Sequence, residues 1–317
     1  MMPLVSLARM LADATRRGYG VCYCESWNLE SLQAVVEAAE DTRSPVIAGF
    51  NGGFLRHRDR KRPESLAYYA AFRKALERST VPVAFLLNES DSLEQMEEAM
   101  ALGFNAVMPE NEGLAPAEYE ALVTSVVALA RPHGVSVEAQ LGVLPNGSPR
   151  GGHSGNGSYA QITDPDAARR FVERTGVDAL AVSIGNVHIL TSGKAAVDLE
   201  ALRRIRDRVN VPLVLHGGTS LENDSLREMV RLGVAKFNFG TVLKQAYLEA
   251  VGEKLSRYRR PANPHGFLGI GGDADIMVAG REAVKAKVKE LLQACGATGR
   301  AEYDFSEAVS GSGEPVG

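Results

Sequence analysis

VPLVLHGGTSLENDSLREMV, residues 211–230, decides how this chain is read. An apolar run suited to a buried strand ends in a histidine, two glycines and two hydroxyls, and a helical stretch follows. The same order recurs along the chain. Short apolar runs occur at GYGVCYC (18–24), SPVIAGF (44–50), VPVAFLL (81–87), FNAVM (104–108), VSVEAQL (135–141), DALAVSI (178–184), VPLVLH (211–216) and AKFNF (235–239). Amphipathic stretches lie between them, including 28–42, 92–103 and 199–210, with apolar residues near i, i+3, i+4 and i+7. Continuously apolar strands with helical crossovers mean a parallel sheet covered on both faces. Eight such units predict an α/β fold, a closed (β/α)8 TIM barrel. The alternative, a doubly wound open sheet, lacks its dinucleotide signature: ESWNLES follows the first strand where G-x-G-x-x-G is required.

Two segments break the rhythm. Residues 142–163 are glycine-rich, carry two prolines and are too long for an ordinary turn, which predicts a mobile active-site loop. Beyond about Arg259 the chain adds an extra C-terminal helix near 276–294 and a polar tail. The expected organisation is one barrel domain over residues 1–301, with 302–317 as the tail.

Composition narrows the function classes. With 45% hydrophobic and 23% charged residues and a net charge of −4, the chain is an ordinary globular protein, and nothing electrostatic favours nucleic acid or an anionic membrane. The one basic run, RHRDRKR at 56–62, includes an acid and no interleaved aromatics, as a solvated loop does. Cys22, Cys24 and Cys295 have no framework spacing and no signal segment precedes them, so a cytoplasmic location is expected. No run reaches the ~18 apolar residues of a membrane-spanning helix.

Chemistry in such a barrel sits at the C-terminal ends of the strands. Here those ends are polar: Asn51-Gly52-Gly53 after strand two, Asn88-Glu89-Ser90 after three, Glu110 after four, and Glu138 with Gln140 in five. Strand six runs into His188, strand seven into His216, and strand eight into Asn238-Phe239-Gly240-Thr241. Two imidazoles at neighbouring strand ends can converge on one metal, with a carboxylate from another strand as third ligand. The other four histidines, at 57, 133, 153 and 265, lie in loops or at helix ends, and only His153 is kept as an acid or base. Gly217, Gly218, Thr219 and Ser220, beside Gly240 and Thr241, form two loops entering helices, an arrangement that favours a phosphate.

These segments resemble the class II ketose-bisphosphate aldolases, the family of the fructose- and tagatose-bisphosphate aldolases. The resemblance runs from about residue 4 to 301 and is carried by NLESLQAVVEAAEDTRSPVI, by NGG at 51–53, SVEAQLG at 136–142 and TGVDALAVSIGNVH at 175–188, and by VPLVLHGGTS and GVAKFNFGT at 233–241. It implies a lyase that cleaves or forms a carbon–carbon bond in a ketose phosphate through a metal-stabilised enediolate. It also implies a divalent metal such as Zn2+ and a homo-oligomer, dimer or tetramer. His188 and His216 become metal ligands. Asn51 and Asn238 join the two glycine loops as substrate-binding positions, Asn238 contacting the ketose next to the metal.

The departures matter as much. Where the family has His-x-Asp-His after strand three, this chain has Leu86-Leu87-Asn88-Glu89, so the acid/base aspartate is Asn88 and the third histidine is Glu89. The second glutamate of the family's VEAELG is Gln140, and the long loop has no acid between Leu141 and Thr163. An asparagine orients substrate or donates to an oxyanion but carries no proton. Glu89 can complete a His₂Glu metal site, and the acid/base task passes to Glu138, Glu110 or His153. The same scaffold would also suit an isomerase or epimerase using the same intermediate, or a barrel that binds metal and sugar phosphate without turnover.

Overall fold

The computed structural model describes residues 4–142, 144, 162–190 and 193–302. Eight parallel strands close into a barrel in sequence order: β1 Val21–Ser26, β2 Val46–Asn51, β3 Val83–Ser90, β4 Ala106–Pro109, β5 Ser136–Leu141, β6 Ala179–Val182, β7 Leu213–Leu215 and β8 Val234–Phe239. β1 pairs with β8 through Tyr23 opposite Asn238, so no edge remains. The fold is the expected (β/α)8 barrel. Several strands start or stop two residues away from the apolar runs, because hydrogen bonding between neighbours, not hydropathy, sets where a ladder ends.

The helices form where the local chemistry allows. Asn28 caps the helix Leu29–Thr42 by accepting from Ser31 N, and the Ser31 hydroxyl accepts from Asn28 N in return. Leu32, Val35 and Ala39 of that helix are buried. The helix Leu7–Arg17 precedes the barrel and closes its lower end: Ala8 N donates to the Ser136 hydroxyl at the start of β5, and Val5 N to Val83 O. The expected extra helix spans Ile276–Ala294 and packs against the helices Leu29–Thr42 and Thr241–Leu255.

One strand departs from regularity in a way that matters for the site. β3 continues past its apolar run through Asn88 and Glu89 to Ser90, and between Leu87 and Ser90 it uses one residue more than β4 does. The surplus is absorbed as a bulge with Glu89 at φ 51°, a left-handed conformation that a non-glycine residue adopts only at a cost of about 1–3 kcal/mol. Such strain persists where the surroundings hold it in place.

Candidate active site

The bulge brings Glu89 to a mouth already lined by the ends of β6 and β7. Glu89 Oε1 lies 3.3 Å from His188 Nε2 and 3.2 Å from His216 Nδ1. The second oxygen, Oε2, accepts from Asn51 Nδ2 at 2.5 Å. Asn51 uses its other amide atom to cap the turn after β2, accepting from Phe54 N at 2.9 Å. Asn186 ties the two histidine-bearing loops together: its Oδ1 accepts from Ile184 N and its Nδ2 donates to His216 O, both at 2.9 Å, with the side chain wholly buried.

His216 is 1% exposed and is held from behind. Its Nε2 stands 2.9 Å from Glu138 Oε1, and Lys236 Nζ lies 2.9 and 2.8 Å from the two Glu138 oxygens. The same ammonium donates to Asn238 Oδ1 at 2.6 Å. Because an ammonium only donates, this contact turns the oxygen of the Asn238 amide inward. Its Nδ2 is then a buried donor with no partner among the described residues, as is the acceptor Asn88 Oδ1.

These residues fit a divalent cation. Glu89, His188 and His216 offer three donor atoms within 4.8 Å of one another. Bonds of about 2.0–2.1 Å at tetrahedral angles place neighbouring donors roughly 3.3–3.4 Å apart, close to the two separations between Glu89 Oε1 and the histidine nitrogens. A histidine that donates from Nε2 to a carboxylate keeps the lone pair on Nδ1, the nitrogen facing Glu89.

Charge is arranged accordingly. Burial works to raise the Glu89 carboxyl, but the imidazoles of His188 and His216 hold it well below its usual range. His188 is pushed up to about 9 by the Glu89 carboxylate against the opposing effect of burial. Burial would also raise Glu138, yet Lys236 and His216 bring it below the ordinary carboxylate value, while burial lowers Lys236 against the pull of Glu138.

Two further carboxyls flank the centre. Glu110, just past β4, accepts through Oε1 from Asn111 N and Glu112 N at 2.7 and 3.1 Å, and burial together with Glu89 raises it. Glu25, at the end of β1, is paired with Lys244 of the helix Thr241–Leu255, and burial raises it in spite of that partner. Glycine at 240 leaves room for it, since a Cβ there would stand 2.6 Å from Glu25 Oε2.

The two glycine loops meet beside this centre. Gly217 has φ 64°, and a Cβ on it would stand 2.0 Å from Val187 O; one on Gly218 would stand 2.8 Å from Asn238 O. Thr219 Oγ1 accepts from Val242 N at 3.3 Å, joining the loop after β7 to the helix that Gly240 and Thr241 begin. The Ser220 hydroxyl is turned inward, accepting from Val187 N at 3.2 Å. Lys194 Nζ donates to Thr219 O and Leu221 O at 3.1 and 2.6 Å, adding a positive charge there. His153 lies outside the described residues.

Glu89, His188, His216, Asn51, Glu138 and Asn238 are thus joined through short contacts at one end of the barrel. Sequence reasoning passed over Lys236, Glu25 and Asn186. A lysine two residues before Asn238, on the same face of an apolar strand, was the available signal for the first. Nothing local marked the others.

Comparison with known proteins points one way. Residues 5–300 match the family described as fructose-bisphosphate aldolase class-II. The protein YdjI of Escherichia coli K12 is 33% identical over 297 residues, which span 92% of this chain and 96% of YdjI. The crystal structure of the YdjI aldolase superposes with a TM-score of 0.77 at 31% identity, covering 94% of this chain and all of that one. A putative fructose-1,6-bisphosphate aldolase from Coccidioides immitis, 24% identical, shares the fold with a TM-score of 0.78 over 94% of this chain and 98% of its own. Among the described residues no helix is long and apolar enough to cross a membrane.

Proposed function

Since the chain belongs to the class II fructose-bisphosphate aldolase family, we propose that it is a carbon–carbon lyase that uses a divalent metal, Zn2+ by the chemistry of its donors, to cleave or form a ketose phosphate. The observation that carries this reading is the convergence of Glu89, His188 and His216, with Glu89 Oε1 3.2–3.3 Å from a nitrogen of each histidine, all three donor atoms within 4.8 Å of one another, and two of the residues buried. Two imidazoles and a carboxylate suit zinc and leave a position for substrate. When bound, the cation supplies a Lewis acid for the ketose carbonyl.

The protein's own groups divide the remaining work. Asn238 Nδ2 and Asn88, buried beside the centre, orient the substrate oxygens and carry no proton. The loops Gly217–Ser220 and Gly240–Thr241 take the phosphate, with Lys194 nearby as counter-charge. Glu138 is committed to His216 and Lys236 and is wholly buried, so it positions rather than shuttles. The proton falls to Glu110, whose carboxyl is raised above its ordinary value by burial and by Glu89, the direction a general acid/base requires.

The test is a retro-aldol assay over a panel of ketose mono- and bisphosphates, run with chelator and then with added Zn2+, Co2+ or Mn2+. We expect cleavage of at least one member, abolished by chelation and restored by metal, and reduced by Glu110→Gln at unchanged metal content. Stoichiometric metal with no turnover of any member would leave a binding protein and sink the lyase reading.

A further inference from the structure

Lys236 is a lysine with none of its surface exposed, in the interior of a barrel whose proposed chemistry makes no use of an amine. Taking an ammonium out of water is costly unless its donors are matched by well-placed acceptors. Here two hydrogen-bond acceptors and one further carboxylate oxygen at ion-pair distance meet it. Nζ lies 2.9 and 2.8 Å from the two oxygens of Glu138 and 2.6 Å from Asn238 Oδ1, and it stands 5.1 Å from the centroid of the Tyr23 ring.

These partners do not surround Lys236 at random. Glu138 comes from β5 and Asn238 from β8, so the ammonium spans the barrel. The carboxylate it fixes is the one that meets His216 Nε2 at 2.9 Å. An imidazole that faces a fixed carboxylate with one nitrogen and a cation with the other keeps its proton toward the carboxylate and offers its lone pair to the cation. For His216 the other nitrogen is Nδ1, 3.2 Å from Glu89 Oε1. Without the ammonium, the Glu138 carboxylate would lose the partner that fixes its direction, and the ring would lose its fixed contact.

We propose that Lys236 is a positioning residue for the metal centre: through Glu138 it fixes the orientation of the His216 ring, so that Nδ1 faces the position the ion would take beside Glu89 Oε1. The inference rests on the metal-binding reading above and adds to it a residue that touches neither ion nor substrate. It also accounts for a buried ion pair inside the barrel where apolar side chains would pack at less cost.

The test uses the full chain, loaded with Zn2+ or Co2+, and reads metal affinity by competition with a chromophoric chelator alongside the visible spectrum of the Co2+ form. Lys236→Met alone leaves Glu138 buried with His216 in place but its ammonium partner gone, so lowered thermal stability and weakened metal binding are both expected. Lys236→Met with Glu138→Gln removes the pair together. Its melting temperature is expected to stay near that of the parent, while metal affinity falls roughly 10–100-fold and the Co2+ spectrum changes. A double variant that folds and binds metal as tightly as the parent, with the same spectrum, overturns the proposal.

Should neither variant accumulate folded, imidazole 15N shifts of the zinc-loaded parent decide: a proton retained on His216 Nε2 supports the proposal, and one on Nδ1 overturns it. A parent that takes up no metal would instead defeat the functional reading. The orientation of the His216 ring in crystal structures of the metal-free parent and double variant would then still test the positioning, so the two failures stay distinct.

Discussion

Asn51 at the end of β2 donates its amide to Glu89 Oε2 at 2.5 Å, so that the strained carboxylate on β3 is held in place by the neighbouring strand. The sequence suggests a substrate contact for Asn51. The contact it makes here is with a proposed metal ligand.

That contact can be weighed directly. Asn51→Ala removes the donor and the cap on Phe54 N together, whereas Asn51→Asp keeps the cap and sets a like charge against Glu89. We expect metal affinity to fall by about 10-fold or more in Asn51→Asp, within the range seen when groups behind a ligand are altered. Chelator competition at fixed pH measures it, and an unchanged affinity would remove Asn51 from the metal centre.

Glu89 itself allows stability and function to be set against each other. At φ 51° a glycine is relaxed where a glutamate is strained, so Glu89→Gly should stabilise the metal-free protein by about 1 kcal/mol while abolishing tight metal binding. Denaturant titration with and without chelator reads both effects. Loss of stability in the metal-free variant would mean that the contacts of Glu89 with Asn51 and the two histidines outweigh the strain.

Gly217 tests the packing of the loop after β7 against the segment that carries His188. Its φ of 64° and the 2.0 Å approach of a notional Cβ to Val187 O leave no space for alanine, and the atom in the way is backbone. Gly217→Ala is expected to cost more than about 1 kcal/mol and to displace His188, the residue after Val187, so melting temperature and metal content should drop together. At Gly240 the notional Cβ meets only the movable end of Glu25, so Gly240→Ala should be milder on both counts.

Asp275 provides a pH-dependent test away from the site. It caps the C-terminal helix by accepting from Met277 N through Oδ1 at 2.9 Å, and from Gly269 N and Gly271 N through Oδ2 at 2.7 and 3.0 Å. Burial opposes ionisation, yet these backbone donors hold the carboxyl below its usual value. The folded pKa is the lower one, so the contribution is fully present above the unfolded value of about 3.9 and is lost as pH falls through the folded value. Asp275→Ala should therefore cost about 0.5–2 kcal/mol near neutrality, and the gap between variant and parent should close in acid. A gap constant with pH would assign the effect to packing.

Much of this protein could be read from its sequence. Strand runs and helical stretches are local patterns with periods of 2 and 3.6 residues, and their eightfold alternation left little choice but a closed parallel barrel. His188 and His216 stood out because polar residues at the ends of apolar strands are anomalies visible in a short window. Glu89 stood among those polar strand ends as well, but its assignment as third ligand came from the resemblance.

Tertiary structure decided the partnerships. Residues 89, 138, 188, 216 and 236 meet only because ring closure and strand register bring β3, β5 and β8 round to face the loops after β6 and β7. Whether Glu89 points into the mouth depends on one surplus residue in β3, and a bulge is a property of two paired strands that neither sequence states alone. Lys236 reads as an ordinary residue of an apolar strand until Glu138 is placed against it. A buried charge takes its meaning from the partner that neutralises it, and here that partner lies 98 residues away in the chain and 2.8 Å away in space.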